Sequence, residues 1–243
     1  MSNFIRRIFN RLGNLEYAPG FPTLNNRGKM DTSDAEVRKR ILNKARDHFL
    51  QYGFSTVTMS EIAADLGMSK KTVYAFFPSK EDLASEMVKG MQAEISSQIN
   101  LLVEDRGMDF IEKLKRILDL TAAHHSRLTP HFRMDLQKHA PGACKCTDEF
   151  QHHQMHCIVE KVVHEGVAKG MFRRDVNEAV VASMFIAAFQ SLMRPESLAR
   201  IPHSIPDIVE AISNVMFEGI LTEPARGRIF AQLNKLQEPS VVQ

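Results

Sequence analysis

The segment from Thr58 to Pro78 holds the start and stop signals of two short helices, and it constrains the fold more than any other part of the chain. Thr58 and Glu61 have the spacing of a capping box, in which the threonine oxygen accepts an orphan N–H and the glutamate reaches back. Gly67 supplies the left-handed residue on which a helix ends. Ser69 is the predicted N-cap of the second helix, and Pro78 ends it because a proline pushes the preceding residue out of helical geometry. The pattern predicts two short helices joined by a tight turn.

The rest of the chain after residue 33 also has helical spacing. Val37, Ile41, Ala45 and Phe49 recur at steps of four, as in an amphipathic helix. No repeat of 20 to 50 residues is present, and strand-like alternation between turn signals is rare. Further helical segments are predicted at residues 108–124, 128–139, 148–169, 176–193 and 205–221. The predicted fold class is therefore all-α.

Composition sets the compartment and excludes some partners. With 44% apolar and 25% charged residues, most of the 243-residue chain is expected to fold. The net charge of +2 shows no overall basic excess toward nucleic acid or anionic membranes. Three cysteines cannot form a closed disulfide framework, which favours a cytoplasmic protein. The nearly apolar stretch at residues 179–193 is shorter than the roughly 20 residues that a membrane span needs, so no membrane partner is expected.

The amino end of the second short helix carries polar residues suited to nucleic acid. In a helix-turn-helix, this helix lies in the major groove of DNA and its first residues meet base edges and phosphates. Lys70 and Lys71 can donate to guanine or phosphate oxygens, Thr72 can contact thymine, and Tyr74 can donate to a phosphate. The alternative interpretation is a pair of ordinary core helices with two lysines in solvent.

A run of residues between Ile41 and Leu83 matches a known family without a gap. The matching residues are Ile41, Leu42, Ala45, Phe49, Gly53, Thr58–Ala63, Leu66–Ser69, Thr72–Tyr74 and Phe77–Leu83. This run resembles the N-terminal domain of the tetracycline-repressor (TetR) family of bacterial transcription regulators. The resemblance implies a three-helix helix-turn-helix domain that binds DNA, followed by a helical domain for ligand binding and dimerisation. It also implies repression that a small molecule relieves.

The resemblance assigns roles to individual residues of the head. Recognition-helix positions fall on Ser69, Lys70, Lys71, Thr72 and Tyr74, and positions that commonly touch phosphates fall on Thr58 and Lys80. Two residues depart from the family pattern: Lys71 stands where a small residue is common, and Ala75 stands where a polar one is common. Base readout at these two positions is therefore not implied.

Four regions follow from these signals. Residues 1–30 are expected to be a basic, disordered extension, residues 31–79 the DNA-binding domain, residues 80–223 the ligand-binding and dimerisation domain, and residues 224–243 a tail. Residues 31–80 contain eight basic and six acidic residues. So small an excess of positive charge would bind phosphates weakly in a single subunit. We therefore expect a homodimer that binds two half-sites of a palindromic double-stranded DNA operator.

Two apolar helical segments near the carboxyl end predict the dimer interface. Residues 176–193 are apolar around most of the helix, which must then be covered on several sides. Paired with residues 205–221, this helix would form half of a four-helix bundle between subunits, although burial within one subunit is the alternative. The predicted interface residues are Val181, Met184, Phe185, Ala188, Phe189, Leu192, Ile208, Ile212, Val215 and Met216.

The middle of the chain predicts an effector site. Thirteen methionines and fifteen phenylalanines favour adaptable apolar packing, and a pocket lined by them suits a small apolar or amphipathic effector of unknown identity. No cofactor is expected to be required. The candidate lining residues, chosen by their place in the middle of the body, are Phe110, Leu114, Leu118, Met134, Met155 and Val159. Ordinary core packing is the alternative.

A cluster of histidine and cysteine residues suggests a second way of sensing. His152 and His156, like His153 and Cys157, are four residues apart on a predicted helix, a spacing that can hold Zn²⁺. Cys144 and Cys146 could complete the site or form a thiol sensor, and the candidate metal ligands are Cys144, Cys146, His152, His156 and Cys157. An exposed histidine-rich helix face is the alternative.

Other function classes are less well supported. The chain contains no Gly-x-Ser-x-Gly motif, no phosphate-binding glycine loop and no His-Glu-x-x-His motif, so we expect no enzyme. A helical enzyme or small-molecule-binding protein without a DNA role is the alternative. A third hypothesis has the amphipathic residues 4–12 binding a membrane or DNA.

Overall fold

The computed structural model describes residues 32–228, with side chains described for residues 34–142 and 155–228. Regular structure in this range is helical, apart from one antiparallel bridge between Phe172 and Leu221. Helices lie at Thr32–Tyr52 (α1), Met59–Asp65 (α2), Lys70–Phe76 (α3), Lys80–Glu104 (α4), Phe110–Arg127 (α5), Pro130–His139 (α6), Pro141–Ala168 (α7), Glu178–Leu192 (α8), Pro195–Leu198 (α9) and Ile205–Ile220 (α10). The predicted all-α fold class is confirmed.

Some predicted regions lie beyond the described residues. The amino-terminal extension, residues 1–30, and most of the predicted tail fall outside them, while residues 223–228 are helical. None of the described helices combines the length and the apolar character that crossing a membrane requires.

The described residues form two compact units. The first, called the head here, comprises residues up to Ala93 together with Leu128–Glu149. The second, called the body, comprises Glu94–Arg127 and the residues from Phe150 onward. Each unit has its own apolar core.

The head core forms where the apolar sides of α1, α2, α3 and the first turns of α4 meet. Ile41, Ala45 and Phe49 of α1 are completely buried, as their spacing of four residues predicts. The helix-turn-helix contributes Ile62, Val73 and Phe77 to the same core. The head also contains α6, whose buried residues Phe132 and Leu136 belong to this core together with Ala140, which follows the helix.

The body core forms around Phe172, which follows α7 and is fully buried. Its ring stacks on Phe217 with centroids 5.6 Å apart and meets Phe110 edge-on at 5.4 Å. Helix α10 packs against α5 and α8. A partly buried ion pair joins α5 to α7: Lys113 Nζ donates to both carboxylate oxygens of Glu165, at 3.0 and 2.8 Å.

Two prolines open helices in the structure. Pro141 is the first residue of α7, and Pro195 is the first residue of α9. Proline is accepted at a first helical position because the N–H it lacks would have no partner there. Consequently α7 begins seven residues before the start predicted from apolar spacing.

Candidate nucleic-acid interface

The turn between α2 and α3 has the geometry that its sequence predicts. Thr58 caps α2: its backbone N–H donates to Glu61 Oε2 at 2.7 Å, and Glu61 N–H donates to Thr58 Oγ1 at 3.2 Å. The bond from Thr58 N–H to the Glu61 carboxylate, followed by a bond from Thr58 Oγ1, lowers the pKa of Glu61. Gly67 has φ +63°, and Met68 N–H closes the turn on the carbonyl of Ala63 at 2.9 Å. The capping box and glycine turn therefore both form.

Helix α3 is fixed on its inner side and exposed at its amino end. Ser69 is the N-cap, with its Oγ accepting from Thr72 N–H at 3.0 Å and lying 2.8 Å from Thr72 Oγ1. Lys70 and Lys71 are exposed, and Tyr74 is 40% exposed. Lys70 Nζ lies 5.8 Å from the centre of the Tyr74 ring. The structure thus brings the five α3 candidates together on one short helix, with the two lysines and Tyr74 open to solvent.

Thr58 and Lys80, the two predicted phosphate contacts, both make contacts within the head. Thr58 Oγ1 donates to Glu61 Oε2 at 2.9 Å. Lys80 Nζ donates to the carbonyl of Ser55 at 3.3 Å and lies 4.4 Å from the centre of the Phe54 ring. Burial lowers the pKa of Lys80, although nearby carboxylates favour its charged form.

Helix α1 holds the helix-turn-helix in place through polar contacts that sequence reasoning did not identify. Arg38 Nη2 donates to Glu86 Oε2 at 2.7 Å and its guanidinium lies 5.1 Å from the Phe77 ring centre. This bond lowers the pKa of Glu86 more than partial burial raises it. At the other side, His48 Nε2 lies 2.9 Å from Asp65 Oδ2 at the end of α2. These pairs link residues far apart in sequence, so no local sequence pattern predicts them.

The predicted dimer residues divide into three groups in the body. Phe189, Ile208 and Ile212 are buried in the subunit's own core. Met184 and Val215 are 55% and 76% exposed. The remaining five are partly buried and pack against the core: Val181, Phe185, Ala188, Leu192 and Met216. The described subunit therefore leaves only part of the predicted set available to a partner.

The candidate effector residues are likewise divided. Phe110 and Leu118 are buried in the body core, and Leu114 and Val159 pack against it. Met155 is half-buried. Met134 lies on α6 in the head and is 54% exposed. The assignment of these six residues to an effector pocket stays a prediction.

The candidate metal ligands are only partly described. The side chains of Cys144, Cys146 and His152 lie outside the described residues, while Cys157 is exposed. His156 Nε2 lies 3.0 Å from Ser183 Oγ, and its Nδ1 lies 3.3 Å from Glu160 Oε1. Among side chains that the structure describes, no three His, Cys, Asp or Glu residues are grouped to hold a metal ion. The metal or thiol sensor stays a prediction.

Comparisons with known proteins agree with this geometry. The sequence profile described as "Bacterial regulatory proteins, tetR family" matches residues 41–87, which span α1 to the first turns of α4. The uncharacterized HTH-type transcriptional regulator YvaF of Bacillus subtilis is 28% identical over 185 residues, covering 76% of this chain and 96% of YvaF.

Solved structures share the fold over both units. A transcriptional regulator from Cytophaga hutchinsonii superposes with a TM-score of 0.64 at 22% identity, covering 78% of this chain and all of that one. A gamma-butyrolactone receptor described as ArpA-like gives a TM-score of 0.57 at 20% identity, covering 84% and 98%. With the helix-turn-helix formed as described, the chain carries at residues 41–87 the DNA-binding domain of the tetR family of bacterial regulatory proteins, and its fold is that of solved transcriptional regulators.

Proposed function

We propose that this regulator is a homodimeric repressor that binds a palindromic operator through α3 and leaves it when a small apolar or amphipathic effector binds the body. The observation that carries the DNA-binding part is the exposed amino end of α3, where Lys70, Lys71 and Tyr74 face solvent beside a formed glycine turn. In a helix-turn-helix, this end of the second helix meets base edges in the major groove.

The chemistry of these side chains fits a mixed base and phosphate contact. An ammonium group donates to guanine O6 and N7 or to phosphate oxygens, and a phenol donates to phosphate. Tyr74 also gives Lys70 an aromatic face, which restricts where the ammonium group points. Ser69 and Thr72 are bonded to each other, so we infer that they order the amino end of α3 before they contact DNA.

Replacing Lys70 with alanine is expected to weaken operator binding by about tenfold or more, because such a contact is worth roughly 1–3 kcal/mol and the dimer loses two. The measurement is fluorescence anisotropy at fixed salt, on a duplex that the wild-type protein has selected from a random library. Lys161→Ala removes the same charge from an exposed position of α7 and is the matched control. Equal losses for both variants would contradict a specific role of Lys70.

The dimer proposal rests on exposed apolar residues of α8 and α10, two helices in contact within the body. Val180 and Met184 on α8 are 52% and 55% exposed, and Val215 on α10 is 76% exposed. Ala211 and Gly219 lie four residues to either side of Val215 and are also exposed. Small residues let two helices approach closely, so this surface suits a twofold contact with a second copy.

Replacing Val215 with aspartate is expected to raise the dimer dissociation constant by about 100-fold or more, because a twofold interface would bury two unpaired carboxylates. Analytical ultracentrifugation across a concentration series measures this constant. Leu101→Asp places the same charge at a 63% exposed apolar position of α4 and is expected to leave the dimer intact. Dimerisation of Val215→Asp at the wild-type constant would contradict the proposed face.

Effector release is the part of the proposal that concerns the body. It is supported by an apolar core rich in phenylalanine and by the likeness in fold to a gamma-butyrolactone receptor. An effector releases the operator only if it binds the DNA-free state more tightly than the DNA-bound state. Anisotropy of the operator complex with a panel of small apolar molecules, including a γ-butyrolactone, tests this, and release by a member of the panel is the expected outcome.

A further inference from the structure

Helix α6 contributes a largely enclosed carboxylate, that of Asp135, to the head. Its apolar residues Phe132 and Leu136 are buried in the head core, which places Asp135 against the loop that leaves α1. The backbone N–H of Ser55 donates to Asp135 Oδ2 at 2.7 Å. The Asp135 side chain is only 9% exposed, whereas Ser55 at the other end of the bond is exposed.

Glycine is required at the end of α1 for this contact. Gly53 has φ +89°, a conformation that other residues rarely adopt. A Cβ atom at this position would lie 3.2 Å from Asp135 Oδ2. The absence of a side chain therefore lets the carboxylate approach the loop two residues before Ser55.

Lys80 binds the carbonyl group of Ser55, the residue whose N–H is bound by Asp135. Its Nζ donates to the Ser55 carbonyl at 3.3 Å while lying over the Phe54 ring. The N–H and the carbonyl of Ser55 are thus bound by side chains of two different helices, α6 and α4. We call Ser55, Lys80 and Asp135 the loop clasp.

The charge of Asp135 is stabilised where it lies. Burial raises its pKa, but hydrogen bonds from Ser55 outweigh burial, and His139 and His131 also favour the carboxylate, so the pKa is lowered. A charged acceptor makes a stronger hydrogen bond than a neutral one. The clasp therefore restrains the loop while the carboxylate is ionised.

We propose that Asp135 is a positioning residue for operator binding, which acts by holding Ser55 and so fixing the start of the helix-turn-helix. Ser55 lies three residues before Thr58, the N-cap of α2. A loop ordered in advance spares the entropy of ordering it on DNA, and this raises affinity without a new contact. The inference rests on the proposed operator binding.

The loop clasp and simple charge attraction predict opposite effects of changing Asp135 on DNA affinity, and this difference makes the role testable. Asp135 is an anion in the DNA-binding unit, so removing its charge should strengthen attraction to phosphates. The clasp instead predicts weaker binding. Asp135→Asn removes the charge but keeps an oxygen acceptor for Ser55 N–H, whereas Asp135→Ala removes both.

The experiment measures the affinity of full-length protein for the duplex selected by the wild type, with thermal melting of each variant in parallel. Asp135→Ala is expected to bind about tenfold more weakly, and Asp135→Asn about threefold more weakly, since the bond involves a charged group and is only partly replaced by the amide. Asp47→Asn removes an exposed charge of α1 outside the clasp, and its affinity is expected to be unchanged or slightly higher.

Folded Asp135→Ala and Asp135→Asn that bind as tightly as the wild type, or more tightly, would overturn the positioning role. If Asp135→Ala does not fold, the affinity of Asp135→Asn is the test. Weaker operator binding by this variant supports the clasp, and tighter binding shows that the charge of Asp135 acts only by repelling phosphates. Failure of the wild type to select any sequence would instead overturn operator binding itself, and with it the role of the clasp.

Discussion

Replacing Glu165 with glutamine is expected to lower the free energy of unfolding by about 3–5 kcal/mol, because it leaves a buried ammonium group without its counter-charge. Lys113 is 1% exposed, and besides Glu165 its Nζ donates to the carbonyl of Val103 at 3.1 Å. Glutamine keeps the size of Glu165 and one acceptor oxygen, so the variant removes charge with little change in packing. Urea denaturation followed by circular dichroism measures the loss.

A double variant separates charge from shape at this pair. Lys113→Met combined with Glu165→Gln removes both charges and is expected to recover most of the lost stability, since no buried ion remains. Glu112→Gln breaks an exposed pair with Arg116 and is the control, with an expected change of no more than about 0.5 kcal/mol. A double variant as unstable as Glu165→Gln would contradict the electrostatic explanation.

The same pair makes stability depend on pH. Burial raises the pKa of Glu165, but hydrogen bonds from Lys113 and Lys169 outweigh it and hold the pKa below its ordinary value of 4.5. The unfolded chain therefore binds this proton more readily, so the contribution of Glu165 is present above pH 4.5 and is lost as the pH falls through the folded pKa. Below pH 4.5 the wild type is expected to lose stability more steeply than Glu165→Gln.

Replacing Phe172 with alanine is expected to cost about 3–5 kcal/mol, the usual loss for a fully buried aromatic residue. Its ring contacts Phe110 and Phe217, so the substitution leaves a cavity in the body core and removes two aromatic pairs. Urea denaturation again measures the loss. Leu101→Ala, at a 63% exposed position, is the control and is expected to change stability by no more than about 0.5 kcal/mol.

Gly166 provides an independent check on the packing around this ring. A Cβ atom added to Gly166 would overlap the rings of Phe172 and Phe110, so Gly166→Ala is expected to destabilise the body by about 1–3 kcal/mol. In the Phe172→Ala background only the 2.9 Å approach to Phe110 remains, so the cost should be clearly smaller. Gly90→Ala meets no neighbouring atom in its helix and is expected to stabilise by about 0.5–1 kcal/mol. Equal costs of Gly166→Ala in both backgrounds would rule out the ring as the cause.

The helix-turn-helix could be predicted from sequence because its signals are local. Thr58 and Glu61 are three residues apart, and a capping box needs no other part of the chain to form. Gly67 and Ser69 end and start helices for equally local reasons. Helix α7 starts before its predicted first residue, at Pro141, because proline both ends and starts helices, and only its position in the helix decides which.

The apolar helices of the body show what hydrophobic spacing cannot predict, namely which face of a helix is buried within the subunit. Ile208 and Val215 both lie on α10 and both are β-branched, yet the first is buried in the subunit core and the second is 76% exposed. Helical spacing places a residue on a side of its helix, but it does not say which sides face the subunit's own core. The interface could therefore be assigned to two helices but not to one face of each.

Residue order alone was enough for the helical class, the caps of α2 and α3, and the family, because each depends on neighbours within a few positions. The placement of α6 in the head, the bond from Ser55 to Asp135 and the pair of Lys113 with Glu165 emerged only from the folded chain. These contacts join residues 80 and 52 positions apart. Such pairs form because burying the apolar sides of separate helices brings their polar residues together. Local sequence patterns do not predict which distant residues will come into contact.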